Sequence, residues 1–264
     1  MTTSPINYPR VASRAEWLAE RVKLLEQEKQ LTRARDRLNT ARRQLPMVRI
    51  EEDYGFDSPA GPVKLLDLFA GSRQLIVYHF MWRWEYGQPL DEPCKGCAGF
   101  GDQVSRGHLT QLRTRHTRFV MISRAPLAKI MRFKFRMGWN MPWYSSAGTR
   151  FNQDFGVTFD GSVATATYNY RTKEEHIRAG SGYYFEAGEP FDLHGMSCFL
   201  QKDGAVYHTY STYGRGMEDV LGPLRMMDLT ALGRQESWEE PKDRAPGLVL
   251  PPGPPARYPD EYEE

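Results

Sequence analysis

Two cysteines three residues apart, Cys94 and Cys97, are the side chains of this sequence best placed to do chemistry. On a helix that spacing is one turn, short enough for a disulfide. Pro93 leads into the pair, and Phe100, Val104 and Leu112 follow at helical spacing, so the pair falls where a helix begins. The unpaired N–H groups of a helix N-terminus stabilise a thiolate and lower its pKa. Lys95 adds a positive charge between the two sulfurs. The chemistry this suits is thiol–disulfide exchange, with Cys94 as the attacking thiolate and Cys97, one turn in, resolving the mixed disulfide. A structural zinc site needs two more close Cys or His ligands. There is no second CxxC, and the remaining cysteine, Cys198, stands alone. Two inert buried thiols are the other reading.

The pair needs a strand before it and a strand after it. Leu75 to Met81 is a short apolar run with β-branched and aromatic residues, the pattern of a buried strand. A polar turn with Gly and Pro joins it to the CxxC helix. Arg118 to Ser123, RFVMIS, is a second buried strand. Strand, helix, strand in that order is a βαβ unit with parallel strands. A further helix is expected from Ala125-Pro126 to about Met137, stopped by Gly138. Residues 139–159 are aromatic and turn-rich and their pattern assigns no particular regular structure, and 160–190 read as a polar insertion with a short helix near Lys173 to Ala179. Ser197 to Leu200 and Ala205 to Ser211 flank Asp203-Gly204, a strong hairpin signal. A last helix is expected over Gly216 to Leu232.

Upstream, Ser13-Arg14-Ala15-Glu16 is a capping box that opens a helix running to Leu45, where Pro46 stops it. Trp17, Leu24, Leu31, Leu38 and Leu45 repeat at strict seven-residue spacing. A heptad seam calls for a second long helix, here from another subunit, so a homodimer through this helix is expected. Arg33, Arg35, Arg37, Arg42 and Arg43 lack interleaved aromatics and read as a solvated face, not a nucleic-acid surface. Residues 47–71 predict a hairpin. From Pro241 the chain is Pro-rich and ends acidic, which predicts an extended tail without a core of its own. The expected organisation is an N-terminal helical arm (1–46), a central α/β domain (47–240) and that tail (241–264).

Composition adds limits. A chain of 264 residues can bury one substantial core, and its net charge of +2 gives no global pull towards nucleic acid. No apolar run has the length of a membrane span, and the first residues contain no apolar signal region. With three cysteines and no disulfide framework, a reducing cytoplasm is the expected setting.

The order β-α-β, helix, β-hairpin, helix, with a CxxC at the first strand-to-helix junction, resembles the thioredoxin fold. Several stretches carry a more particular likeness: Tyr78-His79-Phe80-Met81, the CxxC, Pro142-Trp143-Tyr144-Ser145-Ser146, Phe151-Asn152-Gln153-Asp154-Phe155 and Asp203 to Ser211. On these, across roughly residues 10–240, the sequence resembles the bacterial thioredoxin-like family catalogued as domain of unknown function 899. The resemblance implies an α/β thioredoxin-like fold, a central mixed sheet flanked by helices, with a long N-terminal helix and an insertion before the final hairpin. It implies a dithiol-disulfide oxidoreductase acting through Cys94 and Cys97 on a protein or small-molecule thiol or disulfide, with no organic cofactor. The Pro and Thr pattern that precedes a peroxiredoxin's reactive cysteine is absent.

One departure opens an alternative. Thioredoxins carry a cis-proline facing the CxxC; aligning Gly204 with the glycine of their hairpin puts Met196 there, and no proline occurs between Phe191 and Gly222. A thioether aimed at two thiolates is a soft donor set that selects Cu(I). The alternative is therefore a copper-binding protein using Cys94, Cys97 and Met196 or a histidine, His208 or His194. A third reading is a redox-inactive scaffold. Glu85, Asp91 and Glu92 stand upstream of the pair and would oppose a low thiolate pKa, and Gly99 and Gly101 weaken the helix after it.

Overall fold

The computed structural model describes residues 6–160, 167–185, 190–234, 236, 238–242 and 257–262. They form two compact units: the N-terminal residues up to Pro46 with those from Pro223 to Lys242, and Met47–Gly222 with the C-terminal residues 257–262.

In the first unit, α1 spans Arg14–Arg43. The Ser13 and Glu16 capping box is formed as the sequence predicts, and none of the helix's residues is buried. The described residues from Pro223 to Lys242 group with this helix.

The second unit is built on one sheet. Its chain order is β1 (Val48–Arg49), β2 (Gly55–Ser58), β3 (Gly61–Lys64), β4 (Gln74–His79), β5 (Trp82–Glu85), β6 (Gln88–Pro93), α2 (Lys95–Gln103), α3 (Arg106–Arg113), β7 (Thr117–Ser123) and α4 (Leu127–Arg136). Then follow β8 (Trp143–Ser145), α5 (Phe151–Asp154), β9 (Thr158–Phe159), β10 (Thr167–Tyr168), β11 (Arg171–Thr172), α6 (Lys173–Arg178), β12 (Phe191–Asp192), β13 (Gly195–Lys202) and β14 (Ala205–Tyr213). The main sheet has the order β1-β14-β13-β4-β7-β8-β2-β3. β4 and β7 are parallel, as the βαβ reading requires, with Tyr78 opposite Met121. β13 runs antiparallel on the other side of β4, with Met196 opposite Tyr78. The CxxC strand lying between a parallel neighbour and the final hairpin is the thioredoxin-like arrangement, here widened by β8, β2 and β3.

Period-two alternation divides the core between the two faces of the sheet. Tyr78, Phe80, Phe119 and Met121 pack on one face with Cys97, Phe100, Phe133 and Trp143. Leu75, Val77, Val120 and Ile122 pack on the other with Phe56, Phe69, Phe151 and Phe199.

The structure differs from the sequence reading at three places. The polar turn before the cysteines is a hairpin, β5–β6, reversed at Tyr86-Gly87, where both residues have positive φ, 47° and 74°. The helix after the cysteines stops at Gln103, and Ser105 caps a new one by accepting from the His108 N–H. Gly101 is required there, because a Cβ would meet the Trp139 ring at 2.6 Å. The expected helix over 216–232 is instead a 3-10 stretch, Gly214–Val220, followed by α7 (Gly222–Met227); Pro223 lacks the N–H that would carry one helix through. Residues 243–256 lie outside the described residues, but Tyr258 is fully buried on α4.

Candidate active site

Cys94 is the N-cap residue of α2, with extended backbone (φ −68°, ψ 126°), and its carbonyl accepts from the Ala98 N–H at 3.0 Å. Its own N–H donates to the Met81 carbonyl at 3.2 Å, tying the helix start to the end of the central strand. The Cys94 sulfur accepts from the Cys97 thiol and from the backbone N–H groups of Cys97 and Gly96, and Arg83 attracts it from the hairpin. Together these outweigh burial and bring its pKa down to about 6. Gly96 leaves this sulfur room: a Cβ at that position would stand 3.7 Å from it.

Cys97 is buried, and burial, followed by the neighbouring Cys94 sulfur, pushes its thiol well above the ordinary range. The Tyr78 hydroxyl and the Met81 N–H oppose that rise. Tyr78 is held by its ring, edge-on to Phe80 at 5.8 Å and 4.1 Å from Phe100. Both cysteines are free thiols in this structure.

Two sequence expectations change here. Arg83, not Lys95, is the cation acting on Cys94; the Lys95 ammonium sits 5.2 Å over the Tyr258 ring. Two of the three acidic residues of the flank are paired in place. Asp91 pairs with Lys129 and Arg132 at 2.9 and 3.1 Å, and Glu92 with Arg136 at 2.6 Å.

Met196 lies on the same face of the sheet as Tyr78 and packs against the cluster that holds Cys97. His208 does not join it. Its register partner is Phe199, its ring meets Phe155 and Phe199, and these belong to the opposite face. There His208 ends a buried polar line: its Nε2 meets the Ser211 hydroxyl at 2.7 Å, Ser211 meets Ser197 at 2.7 Å, and Ser197 meets His79 Nε2 at 2.7 Å. Burial drops the His79 pKa to about 3. His194 is engaged with the Gly214 carbonyl. Cys198 is a mostly buried thiol pushed up to about 11 by burial alone. Among the described residues no group of three or more His, Cys, Asp or Glu could hold a metal ion.

Sequence reading missed the hairpin's anchor. Asp192 is buried in β12 and receives four donors: Arg124 Nε at 3.0 Å and Thr158 Oγ1 at 2.7 Å on one oxygen, Trp84 Nε1 at 2.9 Å and the Trp82 N–H at 3.2 Å on the other. Arg124 stacks 3.7 Å over the Trp84 ring. This anchor fixes the β5–β6 hairpin, whose far end is Pro93. No local pattern in the sequence joins Asp192 to Trp82. Tyr78 was legible in principle, since strand alternation places it with Phe80 on the helix-bearing face.

The family described as a bacterial protein of unknown function, DUF899, matches residues 6–247, and the chain belongs to it. Among curated proteins, none matches. Solved structures similar to this chain include a mutant of PrxQ from Xylella fastidiosa, with 11% identity, a TM-score of 0.41, and coverage of 69% of this chain and 97% of that one. Another is peroxidoxin BcpB from Mycobacterium tuberculosis, with 14% identity, a TM-score of 0.40, and coverage of 69% and 96%. A mutant of peroxiredoxin 6 from Arenicola marina is similar at 14% identity and a TM-score of 0.40, over 69% of this chain and 74% of that one. No described helix is long and apolar enough to cross a membrane.

Proposed function

We propose that this DUF899 member is a thiol–disulfide oxidoreductase in which Cys94 and Cys97 cycle between dithiol and disulfide. The observation that carries the reading is the asymmetry of the pair: Cys94, its pKa lowered to about 6, is a thiolate at neutral pH, while Cys97 beside it stays protonated. One thiolate attacks well, and two would repel each other. In the reductive direction the Cys94 thiolate attacks one sulfur of a substrate disulfide, forming a mixed disulfide and expelling one substrate thiolate. Cys97 then loses its proton and attacks the Cys94 sulfur, which closes the intramolecular disulfide and expels the second thiolate. Two electrons pass from the protein dithiol to the substrate, and an external dithiol resets the pair. The substrate is a protein or small-molecule disulfide, and a reducing compartment such as the cytoplasm supplies the reset.

Thiol trapping across a glutathione redox series tests this. The expected result is one two-electron transition involving Cys94 and Cys97, absent in Cys94→Ser. Two thiols that stay unreactive while the protein remains folded refute it.

A second reading, Cu(I) binding by the thiolates, draws support from Met196, whose side of the sheet is that of Cys97. His208 and His194 drop out of that ligand set, being engaged elsewhere. Titration of the reduced protein with Cu(I) against a chelator separates the readings: equal affinity in wild type and in the Cys94→Ser, Cys97→Ser double variant removes copper.

A further inference from the structure

The strands β4, β7 and β8 are parallel neighbours that end level: His79 stands opposite Ile122, and Ile122 opposite Tyr144. In α/β sheets, ligands bind outside the carboxyl ends of such strands. The segments that leave these three ends line one cavity of about 520 Å³, a volume in the range of small-molecule sites. Trp84 reaches it from the hairpin after β4, Arg124 from the turn after β7, and Ala147 and Arg150 from the loop after β8; Gln153 of α5 and Asp160 after β9 line it too. These walls are built. Arg124 is held by Asp192 at 3.0 Å and by the Trp84 ring at 3.7 Å. The loop after β8 is pinned where the Ala147 N–H donates to Ser145 Oγ at 3.2 Å and the Thr149 hydroxyl to the Ser146 carbonyl at 2.9 Å.

Two of the lining residues carry a buried polar atom with no partner among the described residues: Nη2 of Arg124, a donor, and Oε1 of Gln153, an acceptor. Leaving such an atom unmet costs free energy, and most buried polar groups find a partner. The Gln153 amide is oriented by Asp160, whose carboxylate accepts from Nε2 at 2.8 Å. Reversing that amide would set two acceptors against each other, so Oε1 stays bare. The cavity therefore combines an unmet donor on a guanidinium with an unmet acceptor next to a carboxylate. A second guanidinium, Arg150, is two-thirds exposed and bonded to Asp154 at 3.3 Å. A simple anion in this cavity would face Asp160, and a simple cation would face Arg124 and Arg150. An α-amino acid carries a carboxylate and an ammonium on one carbon and answers both sides. We propose that this cavity is a binding site for an α-amino-acid group. Its carboxylate is received by Arg124 and by Arg150, which exchanges Asp154 for it, and its ammonium by Gln153 and Asp160. The group belongs to a free amino acid or to the amino-acid end of a small thiol compound. The site holds whether or not Cys94 and Cys97 cycle.

Titration calorimetry of the reduced full-length protein tests this. The probes are the common L-amino acids, each alone, and S-methylglutathione, which carries the same group and cannot exchange with a disulfide. At least one probe is expected to bind at a single site. Tighter binding of S-methylglutathione than of any free amino acid assigns the source to a thiol compound, and the reverse order assigns it to a free amino acid. Acetylating the amine or amidating the carboxylate of the best-bound amino acid is expected to weaken it about tenfold or more, the scale of a hydrogen bond between charged groups. Arg150→Ala and Gln153→Leu should each weaken the unmodified probe by a similar factor. Gln153→Leu should leave the acetylated probe, which has no ammonium to lose, where it was. The modified probes need no variant, so the test survives a Gln153→Leu protein that does not fold. No binding by any probe at about 10 mM overturns the proposal, and so does binding that ignores both modifications or both substitutions.

Discussion

The phenol of Tyr258 donates to the carbonyl of Pro93 at 2.7 Å, across 165 residues of sequence, and so holds the residue that precedes Cys94. Its ring is fully buried against Phe133 at 5.1 Å, and Asp260 and Glu261 close the contact by pairing with Arg136 at 2.7 and 2.9 Å. The C-terminal residues are thus part of the wall around the site. Tyr258→Ala is expected to destabilise the protein by about 3 kcal/mol, the scale of a lost buried aromatic ring, and Tyr258→Phe by about 1 kcal/mol. Both should speed alkylation of Cys94 by iodoacetamide, because the start of α2 loses its brace. Urea denaturation and the alkylation rate check this together; a Tyr258→Ala protein with wild-type values for both counts against it.

The lowered pKa of Cys94 has a definite sign in stability. Its folded value of about 6 lies below the ordinary thiol value of 9.0, so the ionised form is favoured by folding. That contribution is complete above the unfolded value and is lost as pH falls through the folded one. Reduced wild type should therefore gain stability over reduced Cys94→Ser as pH rises from 6 towards 9. Alkylation of Cys94 should rise to a plateau with a midpoint near 6. Cys97→Ala removes the largest cause, the thiol donor, and should move that midpoint up. Denaturation and alkylation series over this pH range measure both effects. A wild-type advantage that shrinks with rising pH would contradict the assignment.

The position of the pair was legible because it is local. Cys94 at a helix start after an apolar strand is written in consecutive residues, and so is the Asp203-Gly204 hairpin that supplies β13. The capping box at Ser13 and the βαβ order are short-range patterns of the same kind. The parts that were not legible depend on long-range partners. Nothing near Asp192 in sequence marks it as the anchor of Trp82 and Trp84, and nothing near Tyr258 points to Pro93. The acidic flank misled for the same reason, since Lys129, Arg132 and Arg136 reach it from α4. His208 was misplaced by treating closeness in sequence as closeness in space: a register shift between Cys198 and Phe199 sets it on the face opposite Cys97.

Asp192 gives a third test. Burial raises its pKa, with Arg124 and the three hydrogen-bond donors opposing that rise. Removing one partner of a buried ion pair leaves the other uncompensated. Asp192→Ala is therefore expected to cost about 3 kcal/mol and to free the β5–β6 hairpin. Chemical denaturation gives the first quantity, and amide hydrogen exchange at Trp82 gives the second. Asp192→Asn keeps the shape but loses the charge that Arg124 faces, and should fall between. Unchanged exchange at Trp82 in Asp192→Ala would mean that the hairpin is held by other contacts.

The last prediction concerns α1. The helix runs for 30 residues with none buried. Trp17, Leu24, Leu31, Leu38 and Leu45, all at the heptad spacing, are between 48% and 60% exposed. A helix of this length is about 45 Å long, and most helical stability in proteins comes from packing an apolar face. A second copy of the same helix supplies a matching seam, and each leucine it covers contributes on the order of 1.5–3 kcal/mol. Charge favours the antiparallel arrangement. The second half of the helix carries Arg33, Arg35, Arg37, Arg42 and Arg43 against Asp36, and the first half is balanced, so a parallel pair would set the basic halves against each other. The full-length protein is expected to have dimer mass in light scattering at tens of micromolar, and Leu31→Glu with Leu38→Glu is expected to have monomer mass with its thiol reactions intact. A wild type of monomer mass at that concentration, or a double variant that stays dimeric, would remove α1 as the interface.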